Sequence, residues 1–240
     1  MSKNAVFKIT MLAGAIALAG CTDSIEEPTD PVDPPIDPPV GEVFVVIDDG
    51  VTASGFGVLA GSDVDYSKNA LAKDESYSVA NGIAVSPSAN GDEYSWKVDT
   101  YGAGEAYFIV GSDTAMDMTD YANGVLLFDM SVTNATASDS AGHQIVMQTN
   151  GGEKDYLDRN TFYFGQSQLS DQESAGWKTY AVKVSCFAAD DAGAFDITKV
   201  NEVFRLDIRK ESVTYELGTV KYEKDATMIP EGAVEWTCAE

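Results

Sequence analysis

Hydrophobic and polar residues alternate in several short stretches of the chain, as they do in β-strands with one buried face. The clearest stretch is Gly176–Phe187. Its apolar side carries Tyr180, Val182, Val184 and Cys186, and its other side carries Thr179, Ala181, Lys183 and Ser185. This pattern predicts a strand around which the rest of the domain is arranged.

The same alternation predicts further strands, separated by clusters of Gly, Asn, Asp and Ser, with no long helix. The predicted strands are Val43–Ile47, Tyr94–Val98, Ala106–Val110, Val125–Val132, Gln144–Thr149, Thr161–Phe164, Trp177–Cys186, Val203–Ile208 and Val213–Tyr222. Residues 51–93 have weak signals, and we expect loops there with one or two short strands. About nine strands predict an all-β fold, an antiparallel β-sandwich or jelly roll.

Two aspartates precede predicted strands in similar sequences. Asp117 begins a segment before the strand at residue 125, and Asp196 begins one before the strand at residue 203. An aspartate carboxylate accepts hydrogen bonds from backbone N–H groups two or three residues further on. We therefore expect both aspartates to cap single helical turns rather than to act in catalysis.

Residues 1–20 have the composition of a secretory signal peptide. Lys3 and Lys8 give a basic start, and the apolar run Ile9–Gly20 is too short to span a bilayer as a helix. The motif Leu-Ala-Gly-Cys that ends at Cys21 resembles the lipobox of bacterial lipoproteins, which implies cleavage before Cys21 and a lipid on its sulfur. A plain signal peptide is the alternative. By the same resemblance, Thr22 favours an outer-membrane lipoprotein, facing the periplasm or the cell surface.

Residues 21–42 are predicted to form a linker. Six of the eight prolines lie in residues 28–39, with acidic residues between them. Such a segment cannot bury a core, and its prolines favour the extended polyproline II conformation. We expect a stiff tether between the lipidated Cys21 and one domain that comprises residues 43–240.

The acidic composition limits the partners. The formal net charge is −24 at pH 7, and a surface of this sign repels phosphate backbones. We expect a membrane partner through the lipid anchor, no nucleic-acid partner, and a monomer.

Cys186 and Cys238 are the cysteines that remain once Cys21 is lipidated. An exported protein meets an oxidising compartment, which favours a disulfide between them. The bridge would close a loop of ~50 residues and contribute roughly 3–4 kcal/mol. It would also tie the tail of residues 223–240 back to the domain. Two free thiols are the alternative.

Signals for catalysis are weak. The single histidine, His143, would have to serve any catalytic triad, yet no Gly-x-Ser-x-Gly turn is present. One histidine also cannot supply a usual zinc site. Glu153–Asp158 resembles the Glu-x-Asp-x-x-Glu motif of retaining β-glucanases, but the glycines at 151 and 152 favour a solvated loop. We expect no enzyme, with a glycoside hydrolase or polysaccharide lyase as the alternative.

Several stretches occur in the order found in galactose-binding-like jelly-roll modules. They are Tyr94–Val98, Ala106–Ser112, Asp117–Phe128, Gly176–Phe187 and Asp196–Val200 with the strand after it. This similarity covers residues 43–223, and the family includes the C-terminal module of ExoP-type exoglucanases. The resemblance implies a non-catalytic carbohydrate-binding module for a polysaccharide such as a β-glucan. A structural or adhesion lipoprotein is a further alternative.

No cofactor is expected, with a structural calcium ion as the alternative. Related modules often carry Asp-Asn in the last strand, where the aspartate helps to hold a structural calcium ion. Gly218 and Thr219 occupy those positions here, so no calcium is expected there. Asp48 and Asp49 are the weak candidates for a calcium site elsewhere.

Sugar recognition requires aromatic rings that cover the C–H face of a pyranose and polar groups that bond its hydroxyls. The aromatic candidates are Tyr101, Tyr107, Tyr163 and Trp177, whereas Trp96 alternates with apolar residues and is predicted to be core. If the apolar set of each strand points inward, the opposite set lines an outer face. This set contains Asp129, Gln144, Gln148, Lys183, Arg205, Asp207 and Arg209. An ordinary solvated sheet face with cross-strand ion pairs is the alternative.

Overall fold

A computed structural model describes residues 42–65, 67–90, 93–149, 158–189 and 195–238. Within these ranges, sixteen strands, one short helix and three 3-10 turns are present. The strands are β1 (Val43–Asp48), β2 (Val51–Thr52), β3 (Gly57–Ser62), β4 (Ser67–Leu71), β5 (Tyr77–Val79), β6 (Ile83–Asn90), β7 (Glu93–Thr100), β8 (Glu105–Met116), β9 (Val125–Ala135), β10 (Ala141–Thr149), β11 (Arg159–Gly165), β12 (Trp177–Lys183), β13 (Ala188–Ala189), β14 (Val200–Arg209), β15 (Val213–Glu223) and β16 (Val234–Trp236). The helix is α1 (Gln166–Ser170), and the 3-10 turns are Thr119–Tyr121, Val184–Cys186 and Ile197–Lys199.

The strands form two sheets that pack face to face. Sheet 1 has the order β16-β12-β9-β15-β7-β6-β5, with β1 beside β15 and β2 beside β1. Sheet 2 has the order β13-β11-β10-β14-β8-β3-β4. Among the described strands, every pairing is antiparallel except that of β12 with β16. The prediction of an all-β antiparallel sandwich is therefore confirmed.

The core lies between the inner faces of the two sheets. On β9 the alternating residues Leu126, Phe128, Met130 and Val132 are buried there, as predicted. The ring centre of Phe128 lies 5.3 Å from that of Tyr180 in its own sheet and 6.0 Å from that of Phe204 in the other. Trp96 is 1% exposed, which confirms its assignment to the core.

Residues 51–93 contain more strand than predicted. Five strands, β2 to β6, lie entirely within this segment, rather than one or two. β3 has the sequence GVLAGS and carries little apolar side-chain volume, but it is hydrogen-bonded to β8 on one side and β4 on the other. Backbone pairing in the middle of a sheet, rather than hydrophobic alternation, holds this strand in place.

The predicted strand through Cys186 ends three residues earlier. β12 stops at Lys183, and Val184–Cys186 forms a 3-10 turn in which the N–H of Phe187 donates to the carbonyl of Val184. Ala181, on the side predicted to be polar, is buried. It packs with Val125 and Leu127 under residues of the C-terminal tail.

The C-terminal tail belongs to the fold. Cys186 and Cys238 form a disulfide with an S–S distance of 2.02 Å, which confirms that prediction. The tail also adds β16 to the edge of sheet 1 and places Trp236 in the core. The ring of Trp236 lies 4.7 Å from that of Phe164 and 5.0 Å from that of Tyr180.

Asp196 is the N-cap of its turn, as predicted, whereas Asp117 lies one residue before Met118, the N-cap of the other turn. Asp117 Oδ1 accepts a hydrogen bond from the backbone N–H of Thr119 at 2.9 Å, and Asp196 Oδ1 accepts one from that of Thr198 at 3.0 Å. In each case the threonine hydroxyl donates to the same oxygen. These two carboxylates are therefore structural.

The predicted signal peptide, Cys21 and residues 21–41 of the linker lie outside the described residues, as does Glu153 of the glucanase-like motif. No helix in the described part of the chain is long and apolar enough to cross a bilayer.

Candidate functional site

One surface of sheet 2 points away from sheet 1 and carries a band of polar side chains. On β14, Phe204, Leu206 and Ile208 point into the core. Because side chains alternate along a strand, Arg205 and Asp207 between them point outward. We call the outward residues of β3, β8, β10, β11 and β14 the sheet 2 face.

Strand pairing aligns four of the predicted site residues in a row across the sheet 2 face. Tyr163 on β11 is opposite Gln144 on β10, and Gln144 is opposite Asp207 on β14. Asp207 is in turn opposite Tyr107 on β8. Tyr163 is 50% exposed, whereas the other three are buried. The row therefore has an exposed aromatic ring at one end and a buried polar floor behind it.

Arg205 lies at the centre of the sheet 2 face and is 2% exposed. Its Nε is 2.7 Å from Asp207 Oδ1, and its terminal nitrogens are 3.4 Å from Glu105 Oε1 and 3.5 Å from Glu202 Oε2. The guanidinium carbon is 4.7 Å from the ring centre of Tyr107, a cation–π contact. A buried charge with this many partners is held in one geometry, so the floor of the face is pre-organised.

Glu105 extends this network toward solvent. Its Oε2 is 2.9 Å from Nε of Arg209, whose side chain is 44% exposed. Burial raises the pKa of Glu105 to about 7, and the charge of Asp207 and a hydrogen bond with it act in the same direction. The positive charges of Arg209 and Arg205 lower the pKa of Glu105, but by less than the other effects raise it. Around neutral pH, Glu105 is therefore present both as a carboxylate and as an acid that can donate to Asp207.

A groove of about 470 Å³ runs beside this row on the sheet 2 face, where strand pairing aligns Gln148, Glu202, Gly111 and Gly57. Gly57 and Gly111 are paired in its floor, and Lys68, Gln148 and Glu202 contribute polar groups. Lys68 Nζ is 2.7 Å from Glu202 Oε1, which links the groove to the Arg205 network. A Cβ atom at Gly57 would have no heavy atom within 4 Å. The absence of a side chain at this position keeps the groove open.

Gln148 and Arg209 also belong to the sheet 2 face. Gln148 Oε1 accepts a hydrogen bond from Arg159 Nε at 3.0 Å, and Gln148 is opposite Glu202 on β14. Together with the row, seven of the predicted residues therefore lie on one surface. They are Tyr107, Tyr163, Gln144, Gln148, Arg205, Asp207 and Arg209.

The other predicted site residues lie elsewhere. Asp129 on β9, Trp177 at the start of β12 and Lys183 at its end are on the outer surface of sheet 1. Tyr101 lies between β7 and β8, is 49% exposed and borders a different depression, with residues 78–81. The structure thus divides the predicted site into one large group and two smaller ones.

His143 has a structural role. It is fully buried, its Nδ1 accepts a hydrogen bond from the backbone N–H of Arg209 at 3.0 Å, and its Nε2 is 2.9 Å from Gln166 Oε1. With Nδ1 as acceptor, Nε2 carries the proton and donates to Gln166. Burial lowers the pKa of His143, so the neutral ring is the stable form.

The weak calcium candidates have protein partners. Asp48 Oδ1 accepts from the Thr219 hydroxyl at 3.2 Å, and Asp49 Oδ1 accepts from the backbone N–H of Tyr94 at 2.7 Å. Asp49 also pairs with Lys73 at 3.4 Å. In the ranges that the structure describes, no group of three or more His, Cys, Asp or Glu side chains could hold a metal ion.

Sequence reasoning missed Glu105, Glu202 and Lys68. Glu105 and Glu202 each come directly before a predicted strand, and Glu105 alternates correctly with Tyr107. Extending that strand by one residue at its start would have found Glu105. Lys68 lies on β4, in the segment where the strands themselves were not recognised.

No protein-family model matches the chain, and no curated protein sequence matches it. Solved structures do. The extra C-terminal domain of an exo-1,3/1,4-β-glucanase, ExoP, from a Pseudoalteromonas species is similar with a TM-score of 0.56 and 12% identity, over 82% of this chain and 99% of that one. The same enzyme in a longer form is similar with a TM-score of 0.57 and 13% identity, over 83% of this chain and 22% of that one.

A family 30 carbohydrate-binding module is also similar, with a TM-score of 0.50 and 12% identity, over 80% of this chain and 92% of that one. At such identities the likeness concerns the fold. The described domain shares the β-sandwich fold of these solved domains.

Proposed function

We infer that this protein is a non-catalytic carbohydrate-binding module that holds a polysaccharide along the sheet 2 face. The observation that carries this proposal is the aligned polar row that begins at the exposed ring of Tyr163, together with the open groove that runs beside this row across the same strands. The β-sandwich fold shared with a carbohydrate-binding module supports it.

The dimensions of the face suit a chain rather than a single sugar. From β11, which carries Tyr163, to β3, which carries Gly57, there are four strand spacings. At about 4.8 Å each, these amount to about 19 Å. Several consecutive sugar rings fit along this length, with Tyr163 stacking on one ring and the groove beside the row receiving others.

The chemistry of recognition divides between exposed and buried groups. Tyr163 supplies an apolar ring for the C–H face of a pyranose. The exposed Arg209 and Lys68 and the partly buried Glu105 can exchange hydrogen bonds with sugar hydroxyls. The buried Arg205 orients these groups, which reduces the conformational entropy that binding would cost.

A neutral β-glucan is the ligand class we propose. The net charge of −24 disfavours acidic polysaccharides. The fold is similar to that of a domain carried by an exo-1,3/1,4-β-glucanase, and that similarity supports a β-1,3/1,4-linked glucan as the first ligand to test.

Anchoring at the envelope is part of the same proposal. The apolar run before Cys21 and the proline-rich residues 28–39 support a lipidated module on an extended tether. Such a module would raise the local concentration of glycan at the outer membrane for separate enzymes. Mass spectrometry of the N-terminal peptide tests this, because a Cys21→Ala variant would lose both the lipid mass and the membrane association.

Affinity gel electrophoresis with a mixed-linked β-1,3/1,4-glucan tests the binding function. Wild type should be retarded relative to a gel without glucan, and Tyr163→Ala should lose about tenfold in affinity through the lost stacking contact. Tyr101→Ala is the matched control, because Tyr101 is 49% exposed but lies away from the face. A wild-type protein that no glucan retards, or that releases reducing sugars from it, would contradict the proposal.

A further inference from the structure

Trp177 has an unusual position among the three tryptophans of the chain. Trp96 and Trp236 are 1% and 4% exposed, whereas Trp177 is partly exposed. It lies on the outer surface of sheet 1, where its ring covers Gly218. A Cβ atom at Gly218 would be only 3.2 Å from Cζ3 of Trp177 and 3.6 Å from Cβ of Asp129. Trp177 and Asp129 are therefore neighbours across the missing side chain of Gly218.

A small pocket of about 150 Å³ lies on the Asp129 side of this pair, and Trp177 is next to the pocket rather than in its lining. Its polar lining consists of Asp129, Thr179, Thr219 and Lys221, and Pro230 forms part of its wall. Asp129 Oδ1 accepts a hydrogen bond from the Thr179 hydroxyl at 2.6 Å. The Thr219 hydroxyl donates to Asp48 Oδ1 at 3.2 Å, and Lys221 Nζ is 2.9 Å from Glu223 Oε1. The pocket thus combines a carboxylate, two hydroxyls and an ammonium group.

The C-terminal tail makes this pocket rigid. Ile229 and Ala233, on either side of Pro230, pack on the apolar cluster of Val125, Leu127 and Ala181. Further along, β16 pairs with β12, and Cys238 is bonded to Cys186. The wall at Pro230 is therefore fixed to the sheet before any ligand arrives, which favours binding.

We propose that this pocket is a second carbohydrate-binding site, which takes one pyranose ring of a neutral glycan. Asp129, Thr179 and Thr219 bond the hydroxyls of a sugar in the pocket. The sugar extends past Asp129 onto the neighbouring ring of Trp177, which covers its C–H face. The pocket is about a third of the volume of the groove at the sheet 2 face, so it holds a single ring. The class of ligand rests on the proposed function, whereas the site is separate from the sheet 2 face.

Two sites on opposite sheets change what the module can do. A glycan segment on the sheet 2 face and a sugar beside Trp177 can belong to different chains. A single module would then bridge two polysaccharide chains, or bind a dense polysaccharide with greater avidity than either site alone provides.

Acrylamide quenching of tryptophan fluorescence tests this site, because Trp177 is the tryptophan that a quencher can reach. The probe is a mixed-linked β-1,3/1,4-gluco-oligosaccharide, added to wild type and to Tyr163→Ala. We expect the oligosaccharide to reduce the quenching constant at least twofold in both proteins. Trp177→Phe should remove the quenchable emission, which identifies its source.

Asp129→Asn should abolish this protection, and Lys183→Gln, on the same surface but outside the pocket, should preserve it. Urea unfolding of Asp129→Asn establishes that it folds. Quenching that the oligosaccharide leaves unchanged, or protection that disappears in Tyr163→Ala, would overturn the second site. Gel retardation of Asp129→Asn, in which the second site is removed, reports the sheet 2 face alone, so the failure of one site is distinguishable from the failure of the other.

Discussion

Glu105 links the buried network of the sheet 2 face to the stability of the whole domain. Its pKa is raised to about 7 in the folded protein, from an ordinary value near 4.5. The folded state therefore binds a proton that the unfolded state releases between about pH 4.5 and pH 7. The stability that this proton contributes is fully present below about pH 4.5 and is lost as the pH rises through 7.

The size of the effect follows from the shift in pKa. One unit corresponds to 1.36 kcal/mol, so the shift of Glu105 amounts to about 3 kcal/mol between the two ends of this range. Glu105→Gln keeps the shape and a hydrogen-bond donor but cannot ionise. We predict that the free energy of unfolding of wild type, relative to that of Glu105→Gln, falls by about 3 kcal/mol from pH 4.5 to pH 8.

Urea unfolding of both proteins at a series of pH values measures this difference. The difference between variants is needed because His143 acts in the opposite direction. Its pKa is lowered by burial, so its contribution to stability is lost as the pH falls below about 6.5. Glu173→Gln, an exposed carboxyl on the loop after α1, is the control and should follow wild type. If the difference in unfolding free energy between wild type and Glu105→Gln stays constant across the range, the pKa of Glu105 is not raised in the folded protein.

Two further predictions concern the core and the tail. The double variant Cys186→Ser with Cys238→Ser opens a loop of 52 residues. It should lower the free energy of unfolding, measured with urea under non-reducing conditions, by about 4 kcal/mol. An unchanged urea midpoint would contradict this prediction. Phe128→Ala leaves a cavity between the two sheets and should cost about 3–5 kcal/mol, whereas Val45→Ala at a position 42% exposed should cost well under 1 kcal/mol. Equal losses in these two variants would show that the core is not where the structure places it.

The sequence predicted strands well wherever large apolar residues alternate with polar ones. β9 and β14 are examples, because the burial of Phe128 and Phe204 determines which side of each strand faces the core. β3 was missed since its side chains are small and its stability comes from pairing with β4 and β8. The alternation of residues within a segment does not show which distant strands that segment pairs with.

For the same reason, residues that were predicted to form one site lie on the outer surfaces of different sheets. Alternation separates inward from outward positions within a strand, but it does not assign a strand to a sheet. β9 and β10 are consecutive in the chain, yet Asp129 faces outward from sheet 1 and Gln144 from sheet 2. The burial of Trp236 likewise could not be predicted from the residues around it in the sequence, because it results from the parallel pairing of β16 with β12.

If a glycan occupies the sheet 2 face, a side chain that fills the groove should weaken its binding. Gly57 has an ordinary backbone conformation and open space above it, so Gly57→Phe should fold normally and block the groove. Isothermal titration calorimetry with soluble mixed-linked β-1,3/1,4-glucan should show binding to wild type and a loss of at least tenfold in Gly57→Phe, with unchanged stability in urea. Equal affinities of the two proteins for the glucan would contradict the placement of the ligand on this face.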